Sequence, residues 1–199
     1  MRINLKQIHK DVKEFNLALS EKQEPTNVLE LRKSLIQEEI QEFEAEIFKD
    51  EKDIQKLIKE CCDVIYVAMG GVIKMFPDNM ATVATDVNIL TANEAIVKVH
   101  DSAKQFNSSL DRTFLFPILN GILNYTMTVI SYEQFKKAWA EVHRSNMSKT
   151  ENISFDENGK VQKGDYSVAN LSFLKPKTKR KVRKLIESDK TEKDETATN

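Results

Sequence analysis

Residues 31–47, LRKSLIQEEIQEFEAEI, and residues 53–69, DIQKLIKECCDVIYVAM, decide the fold. Turned at roughly 100° per residue, the first segment is an amphipathic helix. Glu30, Lys33, Ser34, Gln37, Gln41 and Glu44 fall on its solvent side, and Ile36, Ile40, Phe43 and Ile47 on its apolar side. Glu39 and Glu42 lie on neither; they continue a flank that begins with Leu31 and Leu35. On the second segment Glu60 and Asp63 stand one turn apart, Val67 extends their stripe, and the run Val64–Met69 is apolar on every side. That end is expected to be buried. The charged link Phe48–Asp53 is short enough to make the two helices antiparallel neighbours, so that Glu39 and Glu42 face Glu60 and Asp63 across one cleft.

Four carboxylates gathered out of water repel one another and lose hydration, at several kcal/mol per ion. Lys33, Lys56 and Lys59 are expected to fall off the carboxylate stripes. A hard divalent cation meets the need directly, because Mg²⁺ takes oxygen ligands, keeps waters and is completed by substrate phosphates. The competing reading is a Glu-rich solvated surface in a chain that is 31% charged.

With 199 residues, 40% of them hydrophobic, the chain can bury one good core. A net charge of −1 gives no overall electrostatic case for nucleic acid or membrane as the main partner. Cys61 and Cys62 are adjacent and read as small buried residues of a reduced, cytoplasmic protein. The N-terminus, polar and charged from Arg2 onward, is not expected to be a signal peptide, and five glycines and four prolines fit a mostly helical chain.

Ile3–Leu19 is expected to form a first amphipathic helix with Ile8, Val12, Phe15 and Leu19 inward. Thr26 or Asn27 caps the next one, and Gly70-Gly71 and Pro77 end or bend the second acidic helix. Thr91–Glu94 and Ser131–Gln134 have capping-box spacing, which predicts helices running to about Phe106 and to Ser145 or Asn146. Thr113–Tyr132 carries no charge, yet Pro117, Gly121 and the series Asn120, Asn124, Thr128 argue for a buried or interface helix with one wettable stripe, not a membrane span. A turn is expected at Asn158-Gly159, and Lys149, Lys160 and Lys163 have the compact charge suited to phosphates. Residues 175–184 hold seven basic side chains and residues 185–199 five acids and two bases, a tail expected to be mobile. Its basic block could contact nucleic acid, although a solubilising role is commoner.

The paired E-E-x-x-E (Glu38–Glu42) and E-x-x-D (Glu60–Asp63) motifs, followed by EVHRSNMSK (141–149) and NGKVQKGDY (158–166), resemble the all-α nucleoside triphosphate pyrophosphohydrolases. These include the MazG-like, dimeric dUTPase-like and phosphoribosyl-ATP pyrophosphohydrolase-like enzymes, with the MazG-like and phosphoribosyl-ATP types, often from phages and bacteria, closest in order and content. The resemblance covers residues 3–70 and 135–166. It implies an all-α bundle over 1–170 and cleavage of the α–β phosphoanhydride of an NTP or dNTP to monophosphate and pyrophosphate. Residues 76–130 depart from it, being longer than compact relatives carry, and are expected to form a central helical insertion. Glu39, Glu42, Glu60 and Asp63 match its Mg²⁺ ligands, with Mn²⁺ as a substitute. Glu38 matches the additional acid, which orients or deprotonates the attacking water or binds a further metal. Asn146 and Lys149 match positions reaching sugar and phosphates, Lys163 and Tyr166 the downstream pair, and Asn16 a polar position near the base. A homodimer or homotetramer is expected, because a small bundle built round a charged cleft gains from added apolar burial. Two rivals remain: a non-catalytic helical adaptor using the basic tail, and a di-iron bundle, which wants E-x-x-H motifs this chain lacks.

Overall fold

The computed structural model of the protein describes residues 2–20, 28–75, 84–86, 90–151, 154–155, 161–162 and 166–175. It is an all-α bundle. Among the described residues there are six helices: α1 (Lys6–Ser20), α2 (Val28–Ile47), α3 (Ile54–Met75), α4 (Ala92–Ser109), α5 (Leu115–Val129) and α6 (Tyr132–Ser148). Two short antiparallel pairs accompany them, β1 (Arg2–Asn4) with β2 (Ala84–Asp86), and β3 (Ser154–Phe155) with β4 (Val161–Gln162). The anticipated cap at Thr26 or Asn27, Pro77, the turn at Asn158-Gly159, Lys160, Lys163 and the tail beyond Lys175 lie outside the described residues.

The bundle is organised around α3. Cys61, Cys62, Val64, Ile65, Ala68, Met69 and Val72 are all fully buried, as the all-round apolar run requires. α2 packs on one side of this helix and α5 on another, while α1 and α6 close the remainder. Asp53 starts α3 by accepting from the backbone N–H of Gln55 at 2.9 Å, which satisfies one of the free donors of the first turn. The helix then passes straight through Gly70-Gly71, where the sequence predicts a break. Each glycine costs about 1 kcal/mol of helix propensity against alanine, but both face close neighbours. A Cβ at Gly71 would sit 3.1 Å from Leu115 Cδ1 on α5, and Gly70 lies beneath a side chain of α2.

The stretch 76–130 contributes α4 and α5, which form an antiparallel pair resting on α3 and, through α4, on α2. Thr91 closes the anticipated capping box, accepting from Glu94 N while the Glu94 carboxylate accepts from Thr91 N at 2.7 Å. Leu110 ends α4 in the left-handed region (φ 54°). Gly121 lets α5 approach α4, since a Cβ there would lie 2.7 Å from Val99 Cγ2 and 3.1 Å from the Ala95 carbonyl. Of the Asn120–Asn124–Thr128 stripe, Asn120 and Thr128 are partly exposed, while Asn124 is 2% exposed and donates to the Asn120 carbonyl at 2.7 Å. No helix among the described residues is long and apolar enough to cross a membrane.

Two further boundaries differ from the sequence expectation. Ile3 belongs to a strand, where its backbone pairs opposite Thr85 and its β-branched side chain is 1% exposed, so α1 begins only at Lys6. The last helix, started by the Ser131–Gln134 capping box, continues to Ser148 because Lys149 and Thr150 still donate to the Asn146 and Met147 carbonyls. Beyond it, residues 166–175 run back along α6 as a strap. Arg144 donates to Ser167 Oγ and the Val168 carbonyl, Asn170 N donates to Glu141, and Leu171 and Leu174 are buried.

Candidate active site

The antiparallel packing of α2 on α3 brings carboxylate oxygens of Glu39, Glu42 and Glu60 within 4.8 Å of one another. Glu60 is buried, Glu39 half-buried and Glu42 open to solvent. Burial first, and then the negative charge of Asp63 and Glu42, push the Glu39 carboxyl up to about 8. Burial raises Glu60 as well, against the pull of Lys59. These shifts are the electrostatic cost of crowding acids at the edge of a core.

Lys59 corrects the sequence reading. It is not off the stripe: its ammonium donates to Asp63 Oδ2 at 2.7 Å and to Glu60 Oε1 at 3.1 Å. Residues 59 and 63 are four apart, hence on the same helix face, and the four-carbon stem spans the turn. Burial works against the ammonium's charge, but Asp63 and Glu60 outweigh it and raise the Lys59 pKa. Asp63 therefore stands beside the three-carboxylate group, held by a cation of the same helix.

These acids open into one cleft of about 250 Å³. Glu38, Glu39, Glu42 and Asp63 form its acidic wall, and Glu60 stands behind it. Asn146 and Lys149, at the end of α6, line the same cleft, as does Tyr166. Lys149 donates to Asn146 Oδ1 at 2.7 Å and lies 5.0 Å from the Tyr166 ring centroid. Arg144 and the strap fix Tyr166 there, because Ser167 N also donates to Ser148 Oγ at 3.0 Å. Phe15 and Asn16, from α1, also line the cleft. Of the candidate residues, the fold thus gathers Glu38, Glu39, Glu42, Asp63, Asn16, Asn146, Lys149 and Tyr166 round one space.

Arg32 was missed. It lines the same cleft, and its Nη2 donates to Asn16 Oδ1 at 3.3 Å. The signal was present, since Arg32 is seven residues, two helical turns, before Glu39 on the same flank. Tyr66 is a second addition. Its ring packs edge-on against Phe15 and stacks on Trp139, and its hydroxyl meets His143 Nδ1 at 2.9 Å. Behind it Trp139 Nε1 donates to Asp11 Oδ2 at 2.8 Å. Asp11, Glu14 and His143 form a second group with ligand-type atoms within 4.8 Å, although both Asp11 oxygens already accept hydrogen bonds, from Gln7 and Trp139.

The donor set of the first group is chemically suited to a hard divalent cation. It consists of oxygen atoms only, it comes from two neighbouring helices, and the raised Glu39 carboxyl reflects a crowding of acids that a cation would relieve. In comparisons with known proteins, residues 4–75 match the family model described as phosphoribosyl-ATP pyrophosphohydrolase. No curated protein and no solved structure matches the chain.

Proposed function

We propose that this chain, whose residues 4–75 belong to the phosphoribosyl-ATP pyrophosphohydrolase family among the MazG-like all-α nucleoside triphosphate pyrophosphohydrolases, hydrolyses the α–β phosphoanhydride of an NTP or dNTP. The observation that carries this reading is the meeting of Glu39, Glu42 and Glu60 within 4.8 Å at a cleft that Asn146 and Lys149 also line. Glu39, Glu42, Glu60 and Asp63 hold Mg²⁺, or Mn²⁺ in its place. The cation supplies charge neutralisation at the phosphate oxygens and makes water more acidic.

The remaining steps belong to side chains. Lys149 meets the phosphates with a compact charge, and Asn146, held by Lys149, offers its amide to the sugar. Tyr166 backs the lysine and limits where the phosphates lie. Glu38 takes the proton as a water oxygen bonds to phosphorus and the phosphoanhydride P–O bond breaks. The products are a nucleoside monophosphate and pyrophosphate.

Pyrophosphate release from a panel of NTPs and dNTPs tests the reading, with Mg²⁺ binding followed by calorimetry. Wild type is expected to release pyrophosphate; Glu42→Ala is expected to lose both turnover and tight Mg²⁺ binding while keeping its helical circular dichroism. A wild type that binds Mg²⁺ but turns over no nucleotide would remove the hydrolase assignment.

A further inference from the structure

The cleft's inner end carries a feature that hydrolysis alone does not use. Asn16 is 8% exposed, and its Nδ2 has no hydrogen-bond partner; nor does the buried Nε of Arg32. Buried polar atoms are almost always paired, and leaving one unpaired costs about 1–3 kcal/mol. Two on touching residues that line one cleft mark a place for a polar ligand. Their chemistry is fixed. Arginine has only donors, so Asn16 must turn its oxygen to the guanidinium and its NH₂ away. The two unpaired atoms of the pair are therefore both N–H donors.

The cleft also has an apolar lining. Phe15, Leu19, Leu31, Leu35 and Val67 line it, and the Tyr66 hydroxyl is engaged by His143. The guanidinium lies on Gly70, where a Cβ would come within 2.6 Å of Nη1. Arg32 precedes Glu39 by seven residues, about 10 Å along the helix, a span matching the reach from a nucleotide's phosphates to the far edge of its base. Burial also lowers the Arg32 pKa to about 10, in keeping with a guanidinium held against an apolar wall.

We propose that Arg32 and Asn16 read the nucleobase, selecting bases that present two neighbouring acceptors, guanine through O6 and N7 or cytosine through O2 and N3, over adenine. This rests on the cleft being a nucleotide site, as in the proposed function. Adenine sets its N6 donor beside N7 or N1, so one of the two protein donors would meet another donor. Phe15 and the leucines cover the base faces, and Gly70 supplies the room that keeps the guanidinium in place.

Equilibrium binding of GMP, UMP, CMP and AMP in Mg²⁺ tests the idea without requiring turnover. Wild type should bind GMP or CMP about tenfold or more tighter than AMP. Arg32→Met should abolish that preference, and Gly70→Ala should weaken it by displacing the guanidinium. Asn16→Asp, which keeps a partner for Arg32 but replaces a donor with acceptors, should shift preference toward AMP. AMP binding as tight as the better of GMP and CMP, an unchanged order in Asn16→Asp, or no binding of any monophosphate overturns the proposal. Selective binding without pyrophosphate release would sink the hydrolase reading and leave the base site standing.

Discussion

Lys59 Nζ sits 2.7 Å from Asp63 Oδ2 and 3.1 Å from Glu60 Oε1, so a cation of α3 itself neutralises two of the acids that face α2. A divalent ion entering this group must share those oxygens with the ammonium or displace it. Lys59→Met is therefore expected to lower the Tm of the metal-free protein by a few degrees. It should also enlarge the stabilisation given by saturating Mg²⁺. Thermal melts of both proteins in chelator and in Mg²⁺ measure this; an equal Mg²⁺ shift in the two would show that Lys59 does not compete for the acids.

The raised Glu39 carboxyl makes the metal-free fold pH-dependent. A carboxyl whose folded value, about 8, exceeds its unfolded value near 4.5 binds more protons folded than unfolded between those limits. Its stability contribution is complete below pH 4.5 and is lost as pH rises through about 8; Glu60, raised in the same direction, adds to the trend. In chelator, Tm should fall by several degrees from pH 5 to pH 8, and Glu39→Gln should flatten the curve. Mg²⁺ affinity should rise over the same range, because the metal requires the ionised form. A Tm independent of pH in chelator would contradict the crowding of these acids.

Trp139 and Asp11 tie α6 to α1 through one buried hydrogen bond of 2.8 Å. Trp139→Phe should cost about 1–3 kcal/mol, since it leaves a buried carboxylate short of a donor. In a double-mutant cycle with Asp11→Ala, urea denaturation should give a coupling energy of at least about 0.5 kcal/mol. Additive losses would mean that the pair contributes only packing.

The Ser131–Gln134 capping box lies at the far end of α6 from Asn146 and Lys149. Ser131→Ala should lower stability by about 1 kcal/mol while leaving nucleotide kinetics unchanged, as measured by urea denaturation and by kcat/KM.

The sequence carried the parts of the fold set by local chemistry. The period of Ile36, Ile40, Phe43 and Ile47, the all-round apolar run after Asp63 and both capping boxes led directly to α2, α3, α4 and α6. Glycine and isoleucine misled where a distant partner decided the outcome. Gly70-Gly71 reads as a helix end until the guanidinium of Arg32 and the side chain of Leu115 fill the space above it. Ile3 reads as helical until a strand eighty residues later pairs with it. The acidic half of the candidate site was legible because its spacing is helical. Arg32 stands on the same flank, but directly beside Lys33 it reads as one more solvated cation. The Tyr66–His143 and Trp139–Asp11 contacts join residues 77 and 128 positions apart, and no periodicity records such a meeting.

Because α3 is at once the centre of the core and the bearer of Glu60 and Asp63, scaffold and working surface are one object here. A methyl group lost at Ile65 or Met69 changes where the acids stand, and a proton gained at the acids changes how well the bundle holds. Selection on such a helix cannot improve thermal endurance and ligand capture independently. Replacing the repelling acids with amides is the shortest way to a hardier protein, and it is also the shortest way to an idle one.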